Sequence, residues 1–366
     1  MVIPSTPALP AYSEVTSWFV VKGHHGAWNQ DEADLTRKYI REMLKHRLAP
    51  IKTFIAPLTV TGEPPTVDLK NSPSADTSFE TNAVRERPDW AYIDFPTVKP
   101  EIRGTAEGDR YLRAVESAAQ SLHRPGKLLF YLWDEPGEKN LEEVVALAKK
   151  AKTLAPSVKV MVTTPYHPQL DGAVDVLAPV LNQLVSDDYP PIDTYHRFQK
   201  RGGEVWFYVS CMSHGCDYLS DSGHPDMVID RTAAYVRSIP WIAHKYGVDA
   251  FLYYAVVEGY KSSPERDPWK SLWDFSGNGD GTLFYPGRPG EHGITEHQPI
   301  PSLRLKEWRE ASFDAEYLKW MDAQGNAPEW YAKTLGAMVP SATGWTRAYS
   351  EYGTLRQKMG DWLNGR

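Results

Sequence analysis

Cysteine is nearly missing. Two residues in 366, Cys211 and Cys216, leave no disulfide framework to hold a fold together. Free thiols are the expectation, with a local pair as the alternative. No Cys/His cluster has the spacing of a zinc site, so no metal or cofactor is expected, and His24-His25 reads as part of a polar loop. No apolar run is long enough to cross a bilayer. Blocks of Lys and Arg are lacking too, and 40 basic against 47 acidic residues leave a net charge of -7. That balance argues against nucleic acid or an anionic membrane surface as a partner. Met1 to Glu14 shows no charged region followed by an apolar one, so no signal peptide is visible. The expectation is a cytoplasmic protein or the mature form of a secreted one. Pro4, Pro7 and Pro10 make residues 1–14 an extended arm. No repeat or clear linker divides the chain, so one domain over residues 1–366 is expected.

Aromatic residues are abundant: 12% of the chain, with 13 Trp and 20 Tyr. Such rings fill cores, and they also suit the apolar faces of sugar rings. Along the chain, apolar runs alternate with segments of helical spacing. Strands are expected at Val15–Lys22, Ala49–Pro57, Lys127–Trp133, Val158–Thr163, Val174–Val180, Glu204–Ser210, Asp249–Val257 and Gly281–Tyr285. Helices are expected over 31–47, 108–122, 138–153, 192–200, 229–246 and 303–320, with a final one over 343–363. Residues 58–100 read as a long loop in which Trp90, Tyr92 and Asp94 alternate as pocket candidates. About eight strands alternating with helices predict a (β/α)8 TIM-type barrel with long loops at its C-terminal face. Residues 303–366 would close it.

The centre of the pattern is Lys127-Leu-Leu-Phe-Tyr-Leu-Trp-Asp-Glu-Pro-Gly137. A buried strand ends there in two adjacent carboxylates, Asp134 and Glu135, and Pro136 and Gly137 then stop it. In a barrel of this kind, catalytic residues stand at the C-terminal ends of strands. The competing reading makes Asp134 a cap for the following helix. Adjacent residues of a regular strand face opposite ways, so both acids reach one ligand only if the strand breaks. Pro136 supplies a reason for a break. Trp133 beside the pair, and Tyr166, His167 and Asn182 just past other strands, are further candidates by position. Tyr208 and Trp206 share one face of their strand. Tyr254 and Glu258 end another, and Trp269 and Trp273 lie in a loop beyond it. Arg304 and Arg309 read as structural ion-pair partners, and Asp314 and Glu316 as a solvated or helix-pairing face.

Three separated stretches resemble the catalytic domain of glycoside hydrolase family 123. They are Trp133-Asp-Glu-Pro136; Ile229-Asp-Arg231 with Tyr246-Gly-Val-Asp-Ala-Phe-Leu-Tyr-Tyr254; and Tyr285-Pro-Gly287 with Pro301-Ser-Leu-Arg-Leu-Lys-Glu-Trp-Arg309 and Asp314-Ala-Glu-Tyr-Leu318. The resemblance spans about Lys127 to Trp320. It implies a β-N-acetylgalactosaminidase on a (β/α)8 barrel that uses an adjacent Asp-Glu pair and the substrate's own acetamido group. Glu135 would be the general acid and later the base. Asp134 would orient the acetamido N–H, and Tyr208 its oxygen. The implied partner is a glycan or small molecule with a terminal β-GalNAc. Alternatives stay open: a β-N-acetylhexosaminidase, a glycosidase using two enzyme carboxylates such as Glu135 and Glu258, or an inactive barrel that only binds carbohydrate.

Overall fold

The computed structural model describes residues 4–15, 20, 22–24, 32–51, 60–67, 88–95, 97–216, 222–260, 267–274 and 276–365. Eight strands form one sheet: β1 (Ala11–Glu14), β2 (Ala49–Ile51), β3 (Ile93–Phe95), β4 (Leu128–Asp134), β5 (Lys159–Thr163), β6 (Val176–Leu177), β7 (Glu204–Tyr208) and β8 (Ala250–Tyr253). Every pairing between them is parallel, in the order β2-β1-β8-β7-β6-β5-β4-β3. The sheet is a (β/α)8 barrel that lacks only a ladder between β2 and β3 among the described residues. Its helices are α1 (Glu32–Lys45), α2 (Ala106–Ser121), α3 (Leu141–Leu154), α4 (Leu181–Leu184), α5 (Ile192–Lys200), α6 (Cys211–His214), α7 (Ala233–Tyr246), α8 (Leu303–Ala323), α9 (Glu329–Met338) and α10 (Tyr349–Leu363).

Alternation along the strands sorts side chains into two layers. Phe130, Val160, Val162, Val205, Phe207 and Phe251 face the helices. Tyr12, Leu129, Met161, Val176, Trp206 and Leu252 point into the barrel. Its lower end is plugged by aromatic rings. Tyr12 and Trp206 stack with centroids 4.5 Å apart, and Tyr92 lies 5.6 Å from Trp206. Glu204 satisfies the polar atoms there, accepting from Tyr92 Oη (2.5 Å), Lys159 Nζ (2.5 Å) and Trp206 Nε1 (3.0 Å).

The strand pattern differs from expectation in three places. The first barrel strand is Ala11–Glu14, inside the expected arm, whereas Val20, Lys22 and Gly23 are helical; the rest of that predicted strand includes residues outside the described ones. Ile93–Phe95, read as loop, is β3, and Trp90, Tyr92 and Asp94 are buried rather than lining a pocket. A three-residue strand is too short to show a period. Phe284–Gly287 pairs antiparallel with Gln298–Pro301 and stands outside the barrel. The predicted strand 49–57 is described only to Ile51, and residues 68–87 of the expected 58–100 loop lie outside the described residues.

The closing helix α8 is anchored by charge rather than solvated. Asp314 is fully buried and accepts from Arg237 Nε (2.8 Å) and Nη2 (3.2 Å) on α7, and from Trp241 Nε1 (3.1 Å). Glu316 is buried against Arg47 and accepts from the Ala8 amide at 2.8 Å. Alternating sequence on a long helix does not reveal that both flanks are covered. Arg304 donates to the backbone carbonyls of Met227, Gly279 and Thr282 instead of forming the expected ion pair. His24 is buried and bonded to Tyr39 (2.8 Å) and His297 (2.9 Å), not part of a polar loop.

Candidate active site

The register of β4 against β5 holds until Tyr131, skips Leu132, and resumes with Trp133 opposite Val162 and Asp134 opposite Thr163. One extra residue in a strand is a β-bulge, and it reverses the alternation beyond it. Leu129 and Tyr131 point inward. Without the bulge Trp133 would follow them, and Asp134 would face the helices. With it, Trp133 packs outward under the Arg103 guanidinium, 4.6 Å from its ring, and Asp134 turns into the barrel mouth. A second device follows. Glu135 has φ +47, a left-handed conformation that is uncommon for any residue with a side chain. The strand therefore breaks beside Pro136, and Glu135 reaches the same space as Asp134.

Both acids are exposed there and held by neighbours from other strands. Tyr131 Oη donates to Asp134 Oδ1 at 2.5 Å, and Thr163 Oγ1 donates to the same oxygen at 2.9 Å. The Glu135 amide donates to Thr163 Oγ1 at 2.8 Å. Tyr208 Oη donates to Glu135 Oε1. Burial, then Glu135, and last the charge of Asp134 push the Tyr208 phenol well above its ordinary range. Burial and Asp134 do the same to Tyr131. Both phenols thus stay protonated hydrogen-bond donors at any working pH. Asp134 does not cap a helix: the residue before α3 is Asn140, and the short turn before that starts after Gly137.

The acids open into a cleft of about 340 Å³ at the C-terminal end of the strands. Its lining also includes Glu14, Ile51, Tyr131, Thr163, Tyr208, Leu252, Tyr254 and Glu258. Tyr254 is positioned by a turn in which Gly281 has φ +66. A Cβ on Gly281 would lie 2.6 Å from the Tyr254 hydroxyl oxygen, so only glycine lets that ring seat. Behind it, buried Asp280 accepts from the Cys211 amide (2.8 Å) and Tyr253 Oη (3.1 Å). Burial raises its carboxyl to about 6. One wall is the short helix α6, whose Met212 and Ser213 line the cleft. Cys211 and Cys216 at this wall form a disulfide, which corrects the expectation of free thiols. Spacing alone does not decide pairing; the tight turn between them brings the two Cα atoms to 5.0 Å.

Of the residues singled out in the sequence, Asp134, Glu135, Tyr208, Tyr254 and Glu258 meet in this cleft. Trp133 does not, because of the bulge. Trp206 is fully buried one layer below Tyr208, in the aromatic plug. Tyr166 packs on Tyr195 and Phe198 and donates to Asp171 at 3.1 Å, away from the acids. His167 accepts from the Gln169 amide. Asn182 backs the wall, donating to the Ser213 carbonyl at 3.2 Å, without lining the cleft. Trp269 stacks on Tyr285 at 4.7 Å. Sequence reasoning missed Glu14, Tyr131 and Thr163. Thr163 had a usable signal, as a polar residue ending an apolar strand. Glu14 had none while its strand was misplaced. Among the described residues no group of three or more His, Cys, Asp or Glu side chains is arranged to hold a metal ion.

Comparison with known proteins agrees with this geometry. The glycoside hydrolase 123 catalytic domain matches residues 84–321, well over half the chain. A family 123 glycoside hydrolase from Clostridium perfringens, studied for glycolipid glycan hydrolysis, has a similar structure. Its TM-score is 0.66 at 12% identity, over 100% of this chain and 72% of that one. A family 5 mannosidase from Rhizomucor miehei is far more distant, at TM-score 0.34 and 10% identity over 80% and 77% of the two chains. No curated protein matches by sequence. The match over residues 84–321 takes in the strand with the acid pair, and the chain belongs to glycoside hydrolase family 123.

Proposed function

We propose that this glycoside hydrolase is a β-N-acetylgalactosaminidase that retains anomeric configuration and uses the substrate's 2-acetamido group as nucleophile. The observation that supports this reading is the placement of two adjacent carboxylates, Asp134 and Glu135, in one cleft. Glu135 donates a proton to the glycosidic oxygen as the bond from C1 breaks. The acetamido oxygen attacks C1 and closes an oxazolinium ring. Asp134 accepts the acetamido N–H and stabilises the positive charge that develops on that ring. Glu135, now ionised, takes a proton from water, which attacks C1 and reopens the ring. Two inversions leave the β configuration. Tyr208, which donates to Glu135 in the free site, is in place to turn its hydrogen to the acetamido oxygen. Tyr254 and Glu258 offer an aromatic wall and an acceptor for sugar hydroxyls. The galacto preference rests on the family resemblance. The extent of the catalytic unit, residues 1–366 with 303–366 as closing helices, is part of the same proposal.

A second reading has one observation behind it: Glu14 and Glu258 line the same cleft, so a conventional scheme with two enzyme carboxylates has candidate partners for Glu135. Aryl β-glycosides of GalNAc and GlcNAc, paired with their 2-hydroxy counterparts, separate the two. The substrate-assisted enzyme turns over the acetamido sugars alone, GalNAc faster. Equal rates on the plain galactoside would overturn the proposal in favour of two carboxylates. Glu135→Gln is expected to lose roughly 10²- to 10⁴-fold on poor leaving groups and much less on activated aryl glycosides. Asp134→Asn is expected to lose turnover on both while remaining folded.

A further inference from the structure

We infer that Thr163 is a positioning residue for the reaction, its single hydroxyl setting both the Asp134 carboxylate and the left-handed backbone that aims Glu135. The inference rests on the reading of Asp134 and Glu135 as the reacting pair. A threonine hydroxyl has one hydrogen and two lone pairs. The hydrogen goes to Asp134 Oδ1 at 2.9 Å, and one lone pair takes the Glu135 amide at 2.8 Å. Tyr131 Oη lies 3.2 Å from the same oxygen and also bonds Asp134 Oδ1, closing a three-membered ring of contacts. One atom on β5 thus reads the side chain of one acid and the main chain of the other.

The energetics make that arrangement consequential. A left-handed backbone costs a non-glycine residue steric strain between its Cβ and the following carbonyl oxygen. The bond from its own amide to Thr163 opposes that cost directly. An ordinary strand residue at this position would offer no partner to an amide that β4 has already stopped pairing. Thr163 is itself well placed to hold still. It is buried, it ends β5, and it pairs with Asp134 one step beyond the bulge, so its position is tied to the feature that turned Asp134 inward.

Thr163→Val keeps the shape and removes the hydroxyl. Turnover on an aryl β-GalNAc substrate is expected to fall 10- to 100-fold with KM changed less than threefold, because the sugar-binding walls are untouched. Thr163→Ser, which restores the hydroxyl, is expected to regain most of the loss. In an Asp134→Asn background, Thr163→Val is expected to cost a smaller factor than in the wild type, since the part routed through that carboxylate is gone and only its hold on the Glu135 backbone remains. Thermal melts of each variant separate misfolding from mispositioning, and the serine variant keeps the test open if the valine protein is unstable. Turnover within twofold of wild type in folded Thr163→Val, no rescue by serine, or an undiminished loss in the Asp134→Asn background would each overturn the inference. Normal turnover in Asp134→Asn and Glu135→Gln would instead overturn the reading of the pair, and the inference with it. That outcome is told apart because it needs no change at residue 163.

Discussion

Asp280 shows how one side chain behind the cleft sets a pH dependence. Its carboxyl rises from 3.8 to about 6 because it is buried. Between those values the folded protein holds a proton that the unfolded chain has released, so stability falls as pH rises through the window. The full penalty, about 3 kcal/mol, is present above pH 6. Asp280→Asn removes the titration but also one acceptor, for the Cys211 amide or Tyr253 Oη. The variant is expected to be less stable than wild type near pH 4 and to close the gap by pH 7. Urea unfolding at four pH values checks this, and parallel profiles would refute it. At this scale the sequence was informative where chemistry alone decides. Two acids before Pro136 could be read directly, as could Tyr208, Tyr254 and Glu258 at strand ends. Trp133 and Trp206 were misread for different physical reasons. Alternation cannot foresee an extra residue, and a strand pattern gives the face of a ring but not its depth in the barrel.

Among the elements, α7 and α8 are joined by a fully desolvated charge pair. Burial raises the Asp314 carboxyl, while Arg237 and Arg356 pull it back. Arg356 Nη1 keeps a contact with Asp314 at 3.1 Å, so Arg237→Ala is expected to cost less than the about 3–5 kcal/mol of a fully stranded buried charge. Replacing Arg237 and Asp314 together by apolar residues of similar size is expected to recover much of that loss, measured by denaturant midpoints. A double replacement no better than the single would mean that the loss is one of packing. Most helices were legible, within a few residues at each end, because their apolar stripes are long. The strands β3 and β6, at three and two residues, were respectively missed and overextended. Their place is fixed by neighbouring strands rather than by their own composition.

For the molecule as a whole, the barrel separates stability from chemistry along its axis. The rings of Tyr12, Tyr92 and Trp206 fill its lower end, with Glu204 serving their polar atoms. Trp206→Ala is expected to lose about 3–5 kcal/mol of stability through the cavity it leaves. Trp206→Phe is expected to keep KM for a GalNAc glycoside within twofold, as measured by initial rates. A tenfold rise in KM with an unchanged melting temperature would put Trp206 back in contact with sugar.

The surplus Leu132 works like a frameshift read in three dimensions. Every residue before it obeys one parity and every residue after it the other. Homologous chains that spell the same acidic dipeptide but lack the additional position would therefore present tryptophan to the sugar and hide aspartate beneath helices. Counting residues back to the preceding tyrosine, which here stands three before the aspartate, is then a quicker guide to which relatives are competent than finding the dipeptide itself.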